Sequence, residues 1–456
     1  MSEKLRTTRR RYVKGATVAG VAGLTGLSTS AAARQGGPIQ MGSILPITGA
    51  LSAYGSGMQK AANLAAQNVN DAGGPLGRQI NMNNADSETK PARAIQKYNS
   101  LVNEAGIIGF VGAASSGVSV PLAQNVASDQ VMQVSNASTS PALAQIGYNE
   151  DRTVKYFGRT APNDGQQGIV MGRIMNDDKY IGADKAAFLY VDNPYGQGLA
   201  EKASAQFEGE TTAMVGYSKR SSDYTSTLDK VFNGDPDAVG FVGYPGNGRT
   251  ILKQWSNGGY GGEWVLSEGL NSSEFLSSLS NITAGMYLAS PDPEQTKGAT
   301  KFEQMMGDQA GTLFAPHAYD ALFLQALAIE AAGEASGTAI AKNIRRVSRP
   351  EAGSQATANE TTTADMSGGQ SSPPQAKVVT VDEFQKAKDL LSNGQDINYQ
   401  GASSPVNLNE SLEPLNQFAI MQVQDDGSTK VLETIPRSFF RGKLGEGGAG
   451  TTTTQG

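Results

Sequence analysis

From Ile39 onward the chain alternates short apolar runs with longer amphipathic stretches, and this alternation leaves few folds open to it. Parallel strands cannot be joined by a tight turn. They need a crossover, usually helical, so a strand–helix rhythm implies βαβ units around a parallel sheet. The first series predicts strands over Ile39–Leu45, Ile107–Val111 and Val131–Ser135, interleaved with helices near Met58–Asp71, Pro91–Glu104 and Val118–Ser128. Pro91 suits a first helical turn, where its missing N–H costs nothing. The second series predicts strands near Ala186–Val191, Ala238–Val242 and Trp264–Ser267, with helices near Leu199–Glu208, Tyr224–Phe232 and Gly248–Asn257. Two similar α/β halves imply a bilobed protein.

Further along, Ala315–Ala332 reads as a helix with Leu322, Phe323, Leu327 and Ile329 on its apolar face. From Ser348 to Gln375 the composition turns to Ser, Thr, Gly, Pro, Ala and Gln, which cannot bury enough apolar surface to offset ordering entropy, so a disordered surface insertion is expected there. Val381–Leu391 resumes helical periodicity. Phe418–Val423 and Lys430–Ile435 flank Asp425-Asp426-Gly427-Ser428, a good hairpin turn. Residues 437–456 are expected to be a flexible tail.

At the amino terminus Lys4, Arg6, Arg9, Arg10, Arg11 and Lys14 precede a Gly/Ala/Val/Leu/Thr segment from Gly15 that ends Ala31-Ala32-Ala33. These are the three zones of an export signal, and Arg9-Arg10-Arg11-Tyr12-Val13-Lys14 resembles a twin-arginine signal. Residues 1–33 are therefore expected to be a signal peptide and the mature protein to work outside the cytoplasmic membrane, in a periplasm or at the cell surface. Cysteine is absent, so neither disulfides nor a lipid-accepting thiol are available, and His317 is the sole histidine. Multi-histidine zinc sites and cysteine nucleophiles are thereby excluded. The 37 Lys+Arg against 43 Asp+Glu give a net charge of -6, which argues against a nucleic-acid partner. No Walker A pattern occurs, the glycine clusters Gly243/Gly246/Gly248 and Gly258/Gly259/Gly261/Gly262 lack GxGxxG spacing, and no cofactor or metal is called for.

Carboxylate, hydroxyl and backbone chemistry remain. Ala113-Ala114-Ser115-Ser116-Gly117 follows a strand and loosely imitates a nucleophile elbow, but its first glycine is Ala113 and the only partner histidine is His317 beside Asp320. No catalytic residue is assigned, and His317 is better read as packed at a helix start. The same turn presents free backbone N–H groups and the positive end of a helix dipole, which suit a carboxylate. A second turn, Asn136-Ala137-Ser138-Thr139-Ser140-Pro141, follows the next strand. Both turns fall at the carboxyl ends of presumed neighbouring parallel strands, where open α/β sheets bind ligands. Glu268, closing Trp264-Val265-Leu266-Ser267, is either a solvated loop residue or the counter-ion of a buried cation.

Several ordered motifs resemble the type I periplasmic binding proteins of ABC transporters, in the branched-chain amino-acid binding group. These are Gly42-Ser43-Ile44-Leu45-Pro46-Ile47-Thr48-Gly49, Asn70-Asp71-Ala72-Gly73-Gly74-Pro75-Leu76-Gly77-Arg78 with Asp86, Ile108-Gly109-Phe110-Val111-Gly112 with Ser115-Ser116, Asp192-Asn193-Pro194-Tyr195-Gly196-Gln197-Gly198, and Tyr319-Asp320-Ala321. The resemblance implies an α/β fold of the periplasmic-binding-protein type I, with two Rossmann-like lobes, parallel-sheet cores and a three-crossing hinge. It places one lobe at 39–158 and 289–407 and the other at 159–288 and 415–436. It further implies that Ser116 and Thr139 hold a ligand's α-carboxylate, with Ser115 and Ser138 as neighbours, and that the Ala137 carbonyl and Glu268 hold its α-ammonium. Tyr195 would close from the second lobe, and Tyr54, Tyr244 and Phe314 would form walls. The implied partners are an amino-acid ligand and the membrane permease and ATPase of an importer. Amide or urea binding, a sensory receptor and an exported hydrolase are the alternatives.

Overall fold

Residues 36–349 and 376–444 are described by a computed structural model of the protein, and among them the alternation resolves into two parallel-cored sheets. The first holds β1 (Ile39–Leu45), β2 (Ile80–Asp86), β3 (Gly109–Gly112), β4 (Met132–Ser135) and β5 (Phe157–Arg159), all parallel, in the order β2-β1-β3-β4-β5. The second holds β6 (Lys185–Val191), β7 (Glu210–Tyr217), β8 (Ala238–Val242), β9 (Glu263–Ser267) and β10 (Tyr287–Pro291), parallel in the order β10-β9-β8-β6-β7. A small parallel pair, β11 (Lys377–Thr380) and β12 (Ile397–Gln400), follows. The chain then returns to the second sheet, where β13 (Phe418–Val423) adds antiparallel to β10 and β14 (Thr429–Ile435) adds antiparallel to β13.

Strands β3, β4 and β8 are buried along their whole length, as expected where helices cover both faces. Edge strand β2, Ile-Asn-Met-Asn-Asn-Ala-Asp, buries only Ile80 and Ala85, its other residues being exposed or half-buried. The Ala315–Ala332 helix differs from its expected one-sided pattern: every residue from Ala315 to Ile329 is buried, because it packs against the Ser52–Asp71 and Gly337–Ser348 helices and the first sheet. Of its polar members, Asp320 is fully satisfied by its neighbours. Asp320 accepts from Tyr399 Oη (2.7 Å), Ala402 N (2.7 Å), Ser403 N (2.9 Å) and Ser403 Oγ (2.6 Å). Burial pushes its pKa up to about 6 against those donors.

The chain passes between the two sheets three times: after β5, after β10 and between β12 and β13. Two expected boundaries shift by a few residues. Arg159 is the last residue of β5 rather than the start of the second lobe, and Ala289–Pro291 belong to β10, paired with β13, rather than to the first. A strand cannot be divided between sheets, so the crossing follows Pro291. The expected tail is also shorter than 437–456: Arg437–Phe440 form a 3-10 turn, and Phe440 is buried against Phe418, ring centroids 5.6 Å apart. The expected insertion lies outside the described residues except for Ser348, which ends a helix, and Arg349; the signal peptide lies outside them entirely. Among the described residues no helix is long and apolar enough to cross a membrane.

Candidate functional site

Loops at the carboxyl ends of β3, β4, β8 and β9 converge, as the topology of open α/β sheets requires. They line one cleft between the two halves. Tyr54, Ser116, Ala137, Tyr195, Tyr244, Glu268 and Phe314 line it, so seven of the residues singled out from the sequence meet there; Leu51, Met58, Ala114, Gly269 and Leu313 complete the walls. Phe314 is held in left-handed backbone (φ 60°) immediately before the Ala315–Ala332 helix, a conformation that costs a non-glycine residue about 1–3 kcal/mol.

Ser115 precedes the Ser116–Ala123 helix but does not cap it; its hydroxyl lies 3.0 Å from Tyr244 Oη instead. Ser116 Oγ accepts from Ser140 N (3.2 Å), joining the two turns. Ser138 does not line the cavity: its hydroxyl donates to the carbonyls of Ala113 (3.0 Å) and Ala114 (3.1 Å), which locks the turns to each other. Thr139 is behind the lining, its Oγ1 buried without a hydrogen-bond partner and its carbonyl accepting from Asp164 N (2.9 Å).

Glu268 is 3% exposed, which removes the solvated-loop reading. Its Oε2 accepts from Gln167 Nε2 (2.6 Å) and Tyr195 Oη (2.9 Å). Burial nevertheless pushes its pKa up to about 7, with those donors pulling the other way. The surrounding phenols stay protonated donors. Burial, then the Glu268 charge, raises Tyr54 and Tyr195 well above the usual tyrosine range, and burial pushes Tyr244 up to about 12. Tyr195 and Tyr244 stack with centroids 5.5 Å apart and planes at 9°.

A second buried carboxylate, Asp164, escapes the sequence reading. Neither of its oxygens has a hydrogen-bond partner, and burial followed by the Glu268 charge drives its pKa well up, with the Arg159 charge opposing. An Asp in the first turn of a helix reads from sequence as an ordinary dipole-favoured residue, so only its depth distinguishes it. Gln167, one turn later, is equally silent in the sequence. His317, by contrast, is buried as expected, with Nε2 3.3 Å from Asn416 Nδ2 rather than beside either serine, and burial lowers its pKa to about 3, leaving it neutral.

The two halves touch across the site. Tyr54 Oη donates to Gly269 O (3.1 Å), Ser140 Oγ donates to Pro194 O (2.8 Å), and Ser115 meets Tyr244, so the conformation is closed. Gly198 faces Pro141 so closely that a Cβ would lie 2.9 Å from the proline Cδ. Gly198→Ala should favour the Pro194–Ser204 helix by about 1 kcal/mol while wedging the closed form by about 1–3 kcal/mol. The expected result is unchanged or higher unliganded thermal stability with weaker ligand binding; equal affinity would show that the contact yields without cost.

A profile of the family described as "Periplasmic binding protein" matches residues 38–370. The chain is 31% identical over 408 residues to the "Chemotactic signal transduction system substrate-binding protein BasB" of Halobacterium salinarum, covering 89% of this chain and 91% of that one. It is 28% identical over 279 residues to "Leu/Ile/Val-binding protein homolog 1" of Brucella abortus, covering 60% and 72%. Among solved structures, the leucine binding protein LivK of Thermotoga maritima superposes with a TM-score of 0.69 at 19% identity, over 87% of this chain and 99% of that one. The chain belongs to the type I periplasmic binding proteins, in the branched-chain amino-acid family. It is a solute-binding protein of the ABC-transporter type, a family whose members bind and release solutes rather than convert them and work outside the cytoplasmic membrane.

Proposed function

We propose that the protein is an extracytoplasmic receptor that encloses an α-amino acid with a neutral, branched apolar side chain and delivers it to the permease of an ABC importer driven by a cytoplasmic ATPase. The observation that carries this reading is Glu268: a carboxylate buried at an enclosed cavity, its pKa raised to about 7, calls for a cation. The ligand's α-ammonium would sit between Glu268 and the Ala137 carbonyl, with Asp164 behind. Its carboxylate would face Ser116 and the first amides of the Ser116–Ala123 helix, with Ser115 beside them and the unpartnered Thr139 hydroxyl just behind. Leu51, Met58, Leu313 and Phe314 supply an apolar wall for the side chain. Tyr54, Tyr195 and Tyr244 would enclose it. The names of the Brucella and Thermotoga proteins agree with this ligand class. A second reading, a receptor that presents the same ligand to a signalling partner, is favoured by the likeness to BasB.

The test is a thermal-shift and titration series with leucine, isoleucine, valine, neutral amides and urea, since a ligand that binds only the folded form raises its melting temperature. A rise with the branched amino acids supports the reading. A rise with amides or urea alone overturns the role given to Glu268. Tyr244→Phe should cost about 0.5–1.5 kcal/mol of affinity, because it loses the hydroxyl that meets Ser115 across the closure and that accepts from Asn193 Nδ2 within its own lobe. Retained affinity in that variant would assign Tyr244 to packing alone.

A further inference from the structure

Outside the cavity the most unusual buried group is Arg159, 1% exposed at the end of β5. Its Nη1 donates to the carbonyls of Ser138 (3.1 Å) and Ser140 (2.9 Å), the residues on either side of Thr139. Its Nε donates to Glu413 Oε2 (3.0 Å), and Nη2 donates to the same oxygen. Glu413 lies in the passage between β12 and β13. Its other oxygen accepts from Asn163 Nδ2 (3.0 Å), and Asn163 Oδ1 caps the Asp164–Asn176 helix by accepting from Gly165 N (2.9 Å). That helix carries Asp164 and Gln167, and Gln167 holds Glu268.

One ion pair therefore touches both ends of the proposed ligand site. In a trans peptide the carbonyl of one residue and the N–H of the next point in opposite directions. Fixing the Ser138 carbonyl on the guanidinium thus fixes the Thr139 N–H to point away from it. Arg159 makes four donations in one plane, two to carbonyls and two side by side to one carboxylate oxygen, one more than the three non-planar donors of an ammonium can make. A buried ion pair is weak support for stability, since well-packed apolar residues do as well or better.

We propose that Arg159 and Glu413 are positioning residues for ligand binding, a clamp that orients the Thr139 turn and seats the helix behind Glu268. This rests on the amino-acid reading above. The experiment titrates leucine, isoleucine and valine into the wild type, Arg159→Lys and the double variant Arg159→Met/Glu413→Leu, alongside the unliganded melting temperature of each. Arg159→Lys should lose at least tenfold in affinity. The double variant removes both charges of the pair at once, and Lys155, the buried cation that also feels Glu413, keeps its three carbonyl acceptors on Leu143, Ala144 and Ser411, so the variant should keep a melting temperature close to that of the wild type and lose affinity to a similar extent. That split between stability and affinity is what a merely structural pair would not give. A folded variant, of either kind, that binds with wild-type affinity overturns the clamp while leaving the functional reading intact. A wild type that binds none of the three overturns both.

Discussion

Isothermal titration of Glu268→Ala with the branched amino acids is expected to show affinity weakened by about 2–5 kcal/mol, roughly thirty-fold to a few thousand-fold. The loss arises because an enclosed ammonium would exchange a carboxylate for an alanine methyl, with no water to replace it. Asp164 decides where in that range the result falls. Buried beside the same charge and without hydrogen-bond partners of its own, it can take over part of the pairing. The double change Glu268→Ala/Asp164→Asn should therefore cost more than the sum of the single changes, as expected for groups that share one partner. Unchanged affinity in Glu268→Ala would remove the ammonium from this end of the cavity.

The second large effect is on pH. Affinity should fall severalfold or more between pH 8 and pH 5.5, because burial pushes the Glu268 pKa up to about 7 and only its ionised form pairs with an ammonium. The groups facing it are Asp164, the phenols of Tyr54, Tyr195 and Tyr244, and the Gln167 amide; burial keeps the phenols neutral throughout this range. The direction for the unliganded protein is opposite. A carboxyl whose folded pKa lies above its unfolded value contributes stability at low pH that is lost as pH rises through about 7. Ligand should thus stabilise the protein most at alkaline pH, and binding at neutral pH should release protons. Titration in buffers of different ionisation enthalpy measures that release. Affinity independent of pH and no proton release would show that Glu268 is already ionised in the empty site.

Where helices cover a strand on both faces, the sequence announces it: Ile39–Leu45 and Ala238–Val242 have the observed bounds of β1 and β8. The edges are quieter. Strand β7, half exposed, and β5, three residues long, carry no continuous apolar run to read. Helix starts are early in the structure, at Ser52, Pro194 and Pro245, because small and polar residues around the ligand-facing turns hide the periodicity. In the site, the two turns were readable from strand ends and hydroxyls, and Glu268 acquired meaning only through the family resemblance. Asp164, Gln167 and Arg159 were not readable, since their roles depend on which loops the fold buries together. Ser138 looked like its neighbours, but its hydroxyl is consumed by the Ala113 and Ala114 carbonyls.

The second sheet is finished by residues far downstream of the strands they complete. Until β13 and β14 emerge, β10 presents an open edge of unpaired N–H and C=O groups, the kind of template on which chains pair with one another. During synthesis the first sheet can therefore close while the second waits for the carboxyl-terminal hairpin. A chain cut before Phe418 should aggregate rather than fold into a smaller receptor, so the β13–β14 hairpin acts as the seal on the folded product.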